Sequence, residues 1–380
     1  MRSLIRSGLA IGMLFASFAT PTSAQTIAGP PSGDNQKASV SQWIGPVQVT
    51  IDYSSPDVHS PTGEDRTGRI WGELVPYGLH DLGFNDCKSC PWRAGANANT
   101  VFTASHDVSI EGKPLAAGRY GLHMLAGKDE WTILFSKRSD SWGSYFYDPS
   151  EDALRVTVKP SACEFHEWLT FEFTDRQPTK ATVALRWEKL QVPMTIQVAN
   201  PTAIYAQQIR DEMKGEKAFQ WVNLEAAAQF WLQNKLDPKE AAVWAQKAVS
   251  QPGVGSENFQ TVTTLAQVQM EAGQNADATK TIDRALASGG VTPFAMHQFA
   301  RQLQGLERPR DALRVFEANF KRFPGQWPTA LGLARGYDGV GETAKAIAAA
   351  KKALPTAPDE PNRKNIESFI ARLEKKQRGE

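Results

Sequence analysis

Two hydrophobic periods meet at Asn200-Pro201, and a chain that carries both has to build two different kinds of core. Beyond that point apolar and small residues return at a constant step of 34: Ala278, Ala312 and Ala346; Ala266, Ala300 and Ala334; Ile282, Phe316 and Ala350; Leu265, Phe299 and Leu333. The turn positions Gly273, Glu307 and Gly341 keep the step, as do Pro324 and Pro358. At 285, 319 and 353 the residues are Ala, Asn and Ala. An earlier, looser copy carries Ala228 and Leu232 on a first helix and Ala241, Ala245 and Ala248 on a second. A step of this length holds two short helices and their turns, and small residues recur where those helices must approach closely. The stretch 358–377, PDEPNRKNIESFIARLEKKQ, reads as a polar capping helix.

Before Asn200 the period is two. Val47, Val49 and Ile51 alternate with Gln48, Thr50 and Asp52; Trp131, Ile133 and Phe135 with Thr132, Leu134 and Ser136; Leu154, Val156 and Val158 with Arg155 and Thr157. Leu169, Phe171 and Phe173 follow, then Val183, Leu185 and Trp187. Turn signals at Glu111-Gly112, Ala126-Gly127-Lys128 and around Pro178 separate these runs. About eight short strands with no helical period between them predict an antiparallel β-sandwich over 43–199, followed by an α-helical solenoid over 200–380.

Both halves carry a resemblance. The helical step and its small-residue positions over about 215–358 resemble the tetratricopeptide repeat (TPR), without the usual first-helix Trp and some of its glycines. GRIWGELVPYG (68–78), WRAGANANT (92–100), DVSIEGKPLAAGRYGLHML (107–125), EWTILFSK (130–137), DALRVTV (152–158) and EWLTFEF (167–173) resemble the bacterial domain-of-unknown-function 2911 family over about 45–199. That resemblance implies an exported β domain, sometimes followed by helical repeats, and carries no activity with it.

The first 24 residues have the pattern of a signal peptide: Arg2 and Arg6, an apolar core from Leu9 to Ala19, and Thr22-Ser23-Ala24 before Gln25. Residues 25–42, rich in Pro, Gly, Ser, Asn and Gln, read as a flexible leader. No later stretch reaches the roughly 18 apolar residues of a membrane span, so the mature chain is expected to be periplasmic or secreted, with no transmembrane segment after cleavage. A net charge of +1 gives no general attraction for a phosphate backbone, which speaks against nucleic acid as a partner.

Candidate site residues collect between Thr67 and Tyr147. Arg93, Asn97, Asn99 and Thr100 follow Pro91-Trp92 and offer donors for a carboxylate or a hydroxyl-rich ligand; the alternative is a loop held by Asn side chains, with Arg93 paired to an acid such as Glu73. Cys87 and Cys90 have the spacing of a local disulfide clip, half of a metal site or a redox pair. An exported chain favours the disulfide, and Cys163 is left over as a buried or free thiol. His106 and His123, placed across a turn at Glu111-Gly112, form a candidate ligand pair that with Cys87 and Cys90 would suit zinc or copper; His80 and His166 stand nearby in sequence. Trp71, Trp92, Trp131, Trp168 and Trp187 are expected in the core or at its rim.

No nucleophile elbow, zinc-protease helix, phosphate loop or dinucleotide fingerprint is present. The first expectation is therefore a binding and interaction protein without a cofactor, its helical repeats taking a protein or peptide partner. The second, from another class, is a metal-binding protein or metal-dependent enzyme using the His/Cys group.

Overall fold

The computed structural model describes residues 35–60, 62–84 and 87–380. The expected signal peptide and the first part of the leader lie outside the described residues. Two compact units divide the chain, the first ending at Pro201 and the second beginning at Thr202.

In the first unit, strands β1 (Gln36–Ile44), β2 (Val47–Ser55), β3 (Thr100–Ala104), β4 (Val108–Ile110), β5 (Lys113–Leu115), β6 (Gly118–Leu125), β7 (Trp131–Ser136), β8 (Asp152–Val158), β9 (Ser161–Arg176) and β10 (Lys180–Gln197) form two antiparallel sheets. One has the order β1-β2-β3-β6-β7-β8 and the other β5-β4-β10-β9. Alternation explains the layers: Val47, Val49 and Ile51 are buried while Gln48, Thr50 and Asp52 between them are only half-buried. The sheets meet through Tyr53 and Phe171, whose rings lie 5.0 Å apart edge to face, and through Ser55 Oγ, which donates to Leu169 O at 2.7 Å. A two-residue turn, Glu111 and Gly112 at φ of 48° and 77°, joins β4 to β5 as the primed hairpin geometry requires.

Three expectations change. Residues 36–42 are not leader: they belong to β1, which pairs with β2 from Gln36↔Ser55 to Ile44↔Val47. Most β1 side chains are exposed or half-buried, so the strand is held by its backbone ladder and has no apolar alternation to read. The strands are also not all short. β9 and β10 run for 16 and 18 residues, with register shifts between Ala181/Val183, Arg186/Glu188 and Glu188/Leu190. Finally, Leu134 and Ser136 of β7 are buried along with Trp131, Ile133 and Phe135, because this strand is covered on both faces.

The second unit contains helices α1 (Pro201–Glu212), α2 (Trp221–Gln233), α3 (Pro238–Ser250), α4 (Phe259–Glu271), α5 (Asn275–Ala287), α6 (Pro293–Gly305), α7 (Pro309–Arg322), α8 (Thr329–Gly339), α9 (Thr343–Ala353) and α10 (Glu360–Arg378). Helices α2/α3, α4/α5, α6/α7 and α8/α9 are hairpins that stack on one another. Every alanine of the sets at 278, 312, 346 and at 266, 300, 334 is fully buried, which is what close helix crossings demand. Asn258 closes a capping box with Thr261, Asp237 caps Lys239 N, Thr292 caps Ala295 N and Asp359 caps Asn362 N. The turn positions Gly273, Glu307 and Gly341 all have positive φ, 74°, 57° and 83°, so the backbone repeats even where glycine does not. Helix α10 closes the stack by burying Ile366, Ile370 and Leu373.

Candidate ligand cleft of the β domain

The connection from β2 to β3, residues 56–99, carries most of the candidate residues and is fixed to the sheet by short backbone bridges. Trp92 and Met124 of β6 exchange both hydrogen bonds, at 2.9 and 2.8 Å, and so do His80 and Cys90, at 3.1 and 2.9 Å. Cys87 and Cys90 form a disulfide with a Cα–Cα distance of 5.7 Å. Cys163 is a free, half-buried thiol.

Within the run Arg93 to Thr100 the side chains divide by role. Thr100 Oγ1 donates to Ala94 O at 3.0 Å, Asn99 Nδ2 donates to Arg138 O at 3.2 Å, and both residues are buried. Asn97 takes a left-handed conformation, φ 56°, and its carbonyl accepts from Arg93 Nη1 at 2.6 Å. These three residues shape the loop. Arg93 differs. Its guanidinium lies over the Tyr145 ring, 5.0 Å from the centroid, and rests against Gly143. A Cβ at Gly143 would collide with that guanidinium, and its φ of 62° already favours glycine. The ion pair with Glu73 is not formed: among the described residues no carboxylate lies within 4.0 Å of Arg93.

Arg93 borders a cleft of about 300 Å³ walled by Leu74, Val75, Pro76, Leu82, Trp92 and Trp187, with Arg66, His80 and Ser144 also at its edge. Behind it His123 is buried and shares a 2.8 Å hydrogen bond between Nδ1 and Ser144 Oγ. Burial, reinforced by the positive charge of Arg93, holds the His123 pKa down to about 4, so this imidazole is neutral at pH 7. It works as a support for the 141–147 loop.

The pairing of His106 with His123 is a correction. β3 returns to β6 with Ala104 opposite Gly118, and the Glu111-Gly112 turn belongs to the other sheet. About 17 Å of strand separates Gly118 from His123, and His106 lies outside Ala104. His106 Nδ1 instead meets the neighbouring Ser105 Oγ at 3.0 Å. With Cys87 and Cys90 joined to each other, the four-residue zinc or copper set has neither its thiolates nor its geometry. Among the described residues no group of three or more His, Cys, Asp or Glu side chains is arranged to hold a metal ion.

Trp71, Trp92, Trp131 and Trp187 form one cluster, with Trp71 edge-on to the other three at 5.3–6.0 Å and Trp92 stacked 6.4 Å from Trp187. Trp131 comes from one sheet and Trp187 from the other, so the cluster ties the layers directly beside the cleft. Trp168 is partly exposed, on β9. Sequence reasoning passed over Trp142 and Phe146, 58% and 52% exposed, which with Tyr145 line an open hollow next to the arginine. The aromatic run Trp142 to Tyr147, between two strands and without apolar alternation, was the available signal.

These features define a two-part molecule: an antiparallel β-sandwich bearing a loop-built cleft, and a helical-hairpin solenoid of the TPR kind. Residues 35–196 match the family described as "Protein of unknown function (DUF2911)". No curated protein matches the chain. Solved structures similar to this chain include MamA, 16% identical over 41% of this chain and 89% of that one, with a TM-score of 0.31. YrrB, described as a TPR protein with an unusual peptide-binding site, is 20% identical over 44% of this chain and 84% of its own, at a TM-score of 0.30. The C-terminal part of a TPR repeat-containing protein from Cytophaga hutchinsonii is 15% identical over 47% and 68%, at 0.35.

Proposed function

We propose that this is an exported binding protein, periplasmic or secreted, whose helical repeats hold a protein or peptide partner while the β domain holds a small ligand in the Arg93 cleft. The single observation that carries the partner reading is a strip of amide side chains along the first helices of successive hairpins. Gln229 Nε2 on α2 reaches Gln267 Oε1 on α4 at 3.4 Å, and Gln267 Nε2 reaches Gln302 Oε1 on α6 at 2.6 Å. Amides carry both donors and acceptors, so a chain of them keeps spare capacity for the backbone of an extended peptide lying across the helices. The export reading rests on the N-terminal pattern of residues 1–24 and on a disulfide, a bond that persists in oxidising compartments.

Selection of a displayed random-peptide library on the full-length chain tests the partner reading. Enriched peptides should bind the native chain and lose affinity for the Gln267→Ala/Gln302→Ala double variant. Failure to enrich any peptide, or equal binding to both proteins, would overturn it.

A further inference from the structure

We propose that the Arg93 cleft is built for a monocarboxylate whose body is apolar and about the size of an aromatic ring or a medium-length acyl chain. The proposal rests on the ligand-holding reading of the β domain and names the chemistry of its ligand.

Charge decides the polar end. Among the described residues two arginines border the cleft and no carboxylate lines it. Arg66 is already neutralised, with Nη1 3.5 Å from Asp57 Oδ1 and Nε 3.3 Å from Glu64 Oε2. Arg93, which also lines the cleft, has no such partner among the described residues, so its positive charge is left without a carboxylate. His123, whose pKa is lowered first by burial and then by the nearby charge of Arg93, stays neutral and offers that guanidinium no counter-charge. A guanidinium fork matches a carboxylate, and in a partly enclosed site that pairing is a charge-assisted hydrogen bond. A dianion such as phosphate would bring one charge more than the cleft can neutralise and would lie against apolar walls.

Pre-organisation decides that Arg93 is presented as a ligand group. The guanidinium is held from three directions: Nη1 by the Asn97 carbonyl at 2.6 Å, one face by the Tyr145 ring, and the edge by Gly143, where no side chain fits. An arginine fixed in this way loses little rotamer freedom when a ligand arrives. The remaining walls decide the other end of the ligand. Leu74, Val75, Pro76, Leu82, Trp92 and Trp187 offer aliphatic and aromatic surface, and a volume of about 300 Å³ matches a small apolar body.

Calorimetric titration of the full-length protein with octanoate and benzoate, their uncharged amides octanamide and benzamide, and inorganic phosphate tests this. At least one acid should bind, its amide should bind about tenfold more weakly or worse, and phosphate should not compete. Arg93→Gln should remove the preference of acid over amide, and Gly143→Ala, which keeps the charge but displaces the guanidinium, should do so in part. Because the acid-to-amide ratio is read on the unmodified protein, misfolding of either variant leaves the test intact. Equal binding of acid and amide, or tighter binding of phosphate, would overturn the carboxylate assignment while leaving a ligand site. Silence toward every probe, with peptide binding retained, would overturn the cleft as a ligand site and spare the partner reading.

Discussion

The two units solve the same problem, burying apolar side chains, with opposite reach along the chain. In the β domain the structure depends on residues far apart: Ser55 bonds to Leu169, Val58 N to Glu167 O, and Trp71, Trp92, Trp131 and Trp187 share one cluster. In the solenoid each buried position contacts its own hairpin or the next, and its equivalents return 34 residues later. A domain of the first kind pays its loop-closure entropy before its contacts form, and therefore holds or fails as a unit. A stack of the second kind is close to a sum of neighbouring terms, and can open locally. The cleft sits on the first kind of scaffold, where long-range contacts fix a loop; the amide strip sits on the second, where repetition extends a surface.

The largest expected effect sets these scaffolds against each other directly. Trp131→Ala and Phe316→Ala each remove a fully buried aromatic ring at a cost of about 3–5 kcal/mol. By native-state hydrogen exchange, Trp131→Ala should raise exchange through both sheets together, whereas Phe316→Ala should raise it around α6 to α8 and leave α2 and α3 near their native rates. Exchange spread evenly through α2 to α10 in the second variant would break the comparison.

Acid gives the next effect. His123 is neutral in the folded protein with a pKa of about 4, below the unfolded value of about 6.5. Between those values the unfolded chain takes up a proton that the native site refuses, so stability is full above pH 6.5 and falls as pH drops, by up to about 3 kcal/mol. The solenoid has its own case: burial, with the charges of Arg335 and Arg301, holds His297 down to about 4. His123→Gln should flatten the acid slope of the β domain alone, followed by hydrogen exchange in β6 and β7. An unchanged slope would mean that other groups carry it.

The smallest effect sharpens the account of the repeat. Glu307 occupies the left-handed turn position that glycine fills in the hairpins on either side. Glu307→Gly should raise the solenoid melting transition, by about 1 kcal/mol at most after the entropy cost of glycine is deducted. A lower transition would show that the Glu307 side chain contributes more than its backbone strain costs.

Much of this was legible beforehand, for identifiable reasons. Buried alanines at a fixed step and alternating valines are direct imprints of packing, and both units followed from them. The strand β1 was not legible, because Ser39, Ser41 and Gln42 contribute backbone hydrogen bonds and no apolar face. At the cleft, sequence pointed to Arg93 through the polar run after Pro91-Trp92. It did not separate Arg93 from Asn97, Asn99 and Thr100, since only the fold shows that Arg93 lines the cleft and the other three do not. His106 and His123 were misplaced because consecutive strands β3 and β4 enter different sheets, and no local pattern in HDVSIEG records that change.

The central claim is that binding is divided between two differently built surfaces on one chain. Hydrogen exchange on the full-length protein, measured alone, with octanoate and with a selected peptide, tests it most directly. The account predicts octanoate protection confined to residues 74–84, 87–96 and 141–147, and peptide protection confined to α2, α4, α6 and α8. Peptide protection of the β-domain loops in place of those helices, or octanoate protection of the helices in place of the loops, would contradict it.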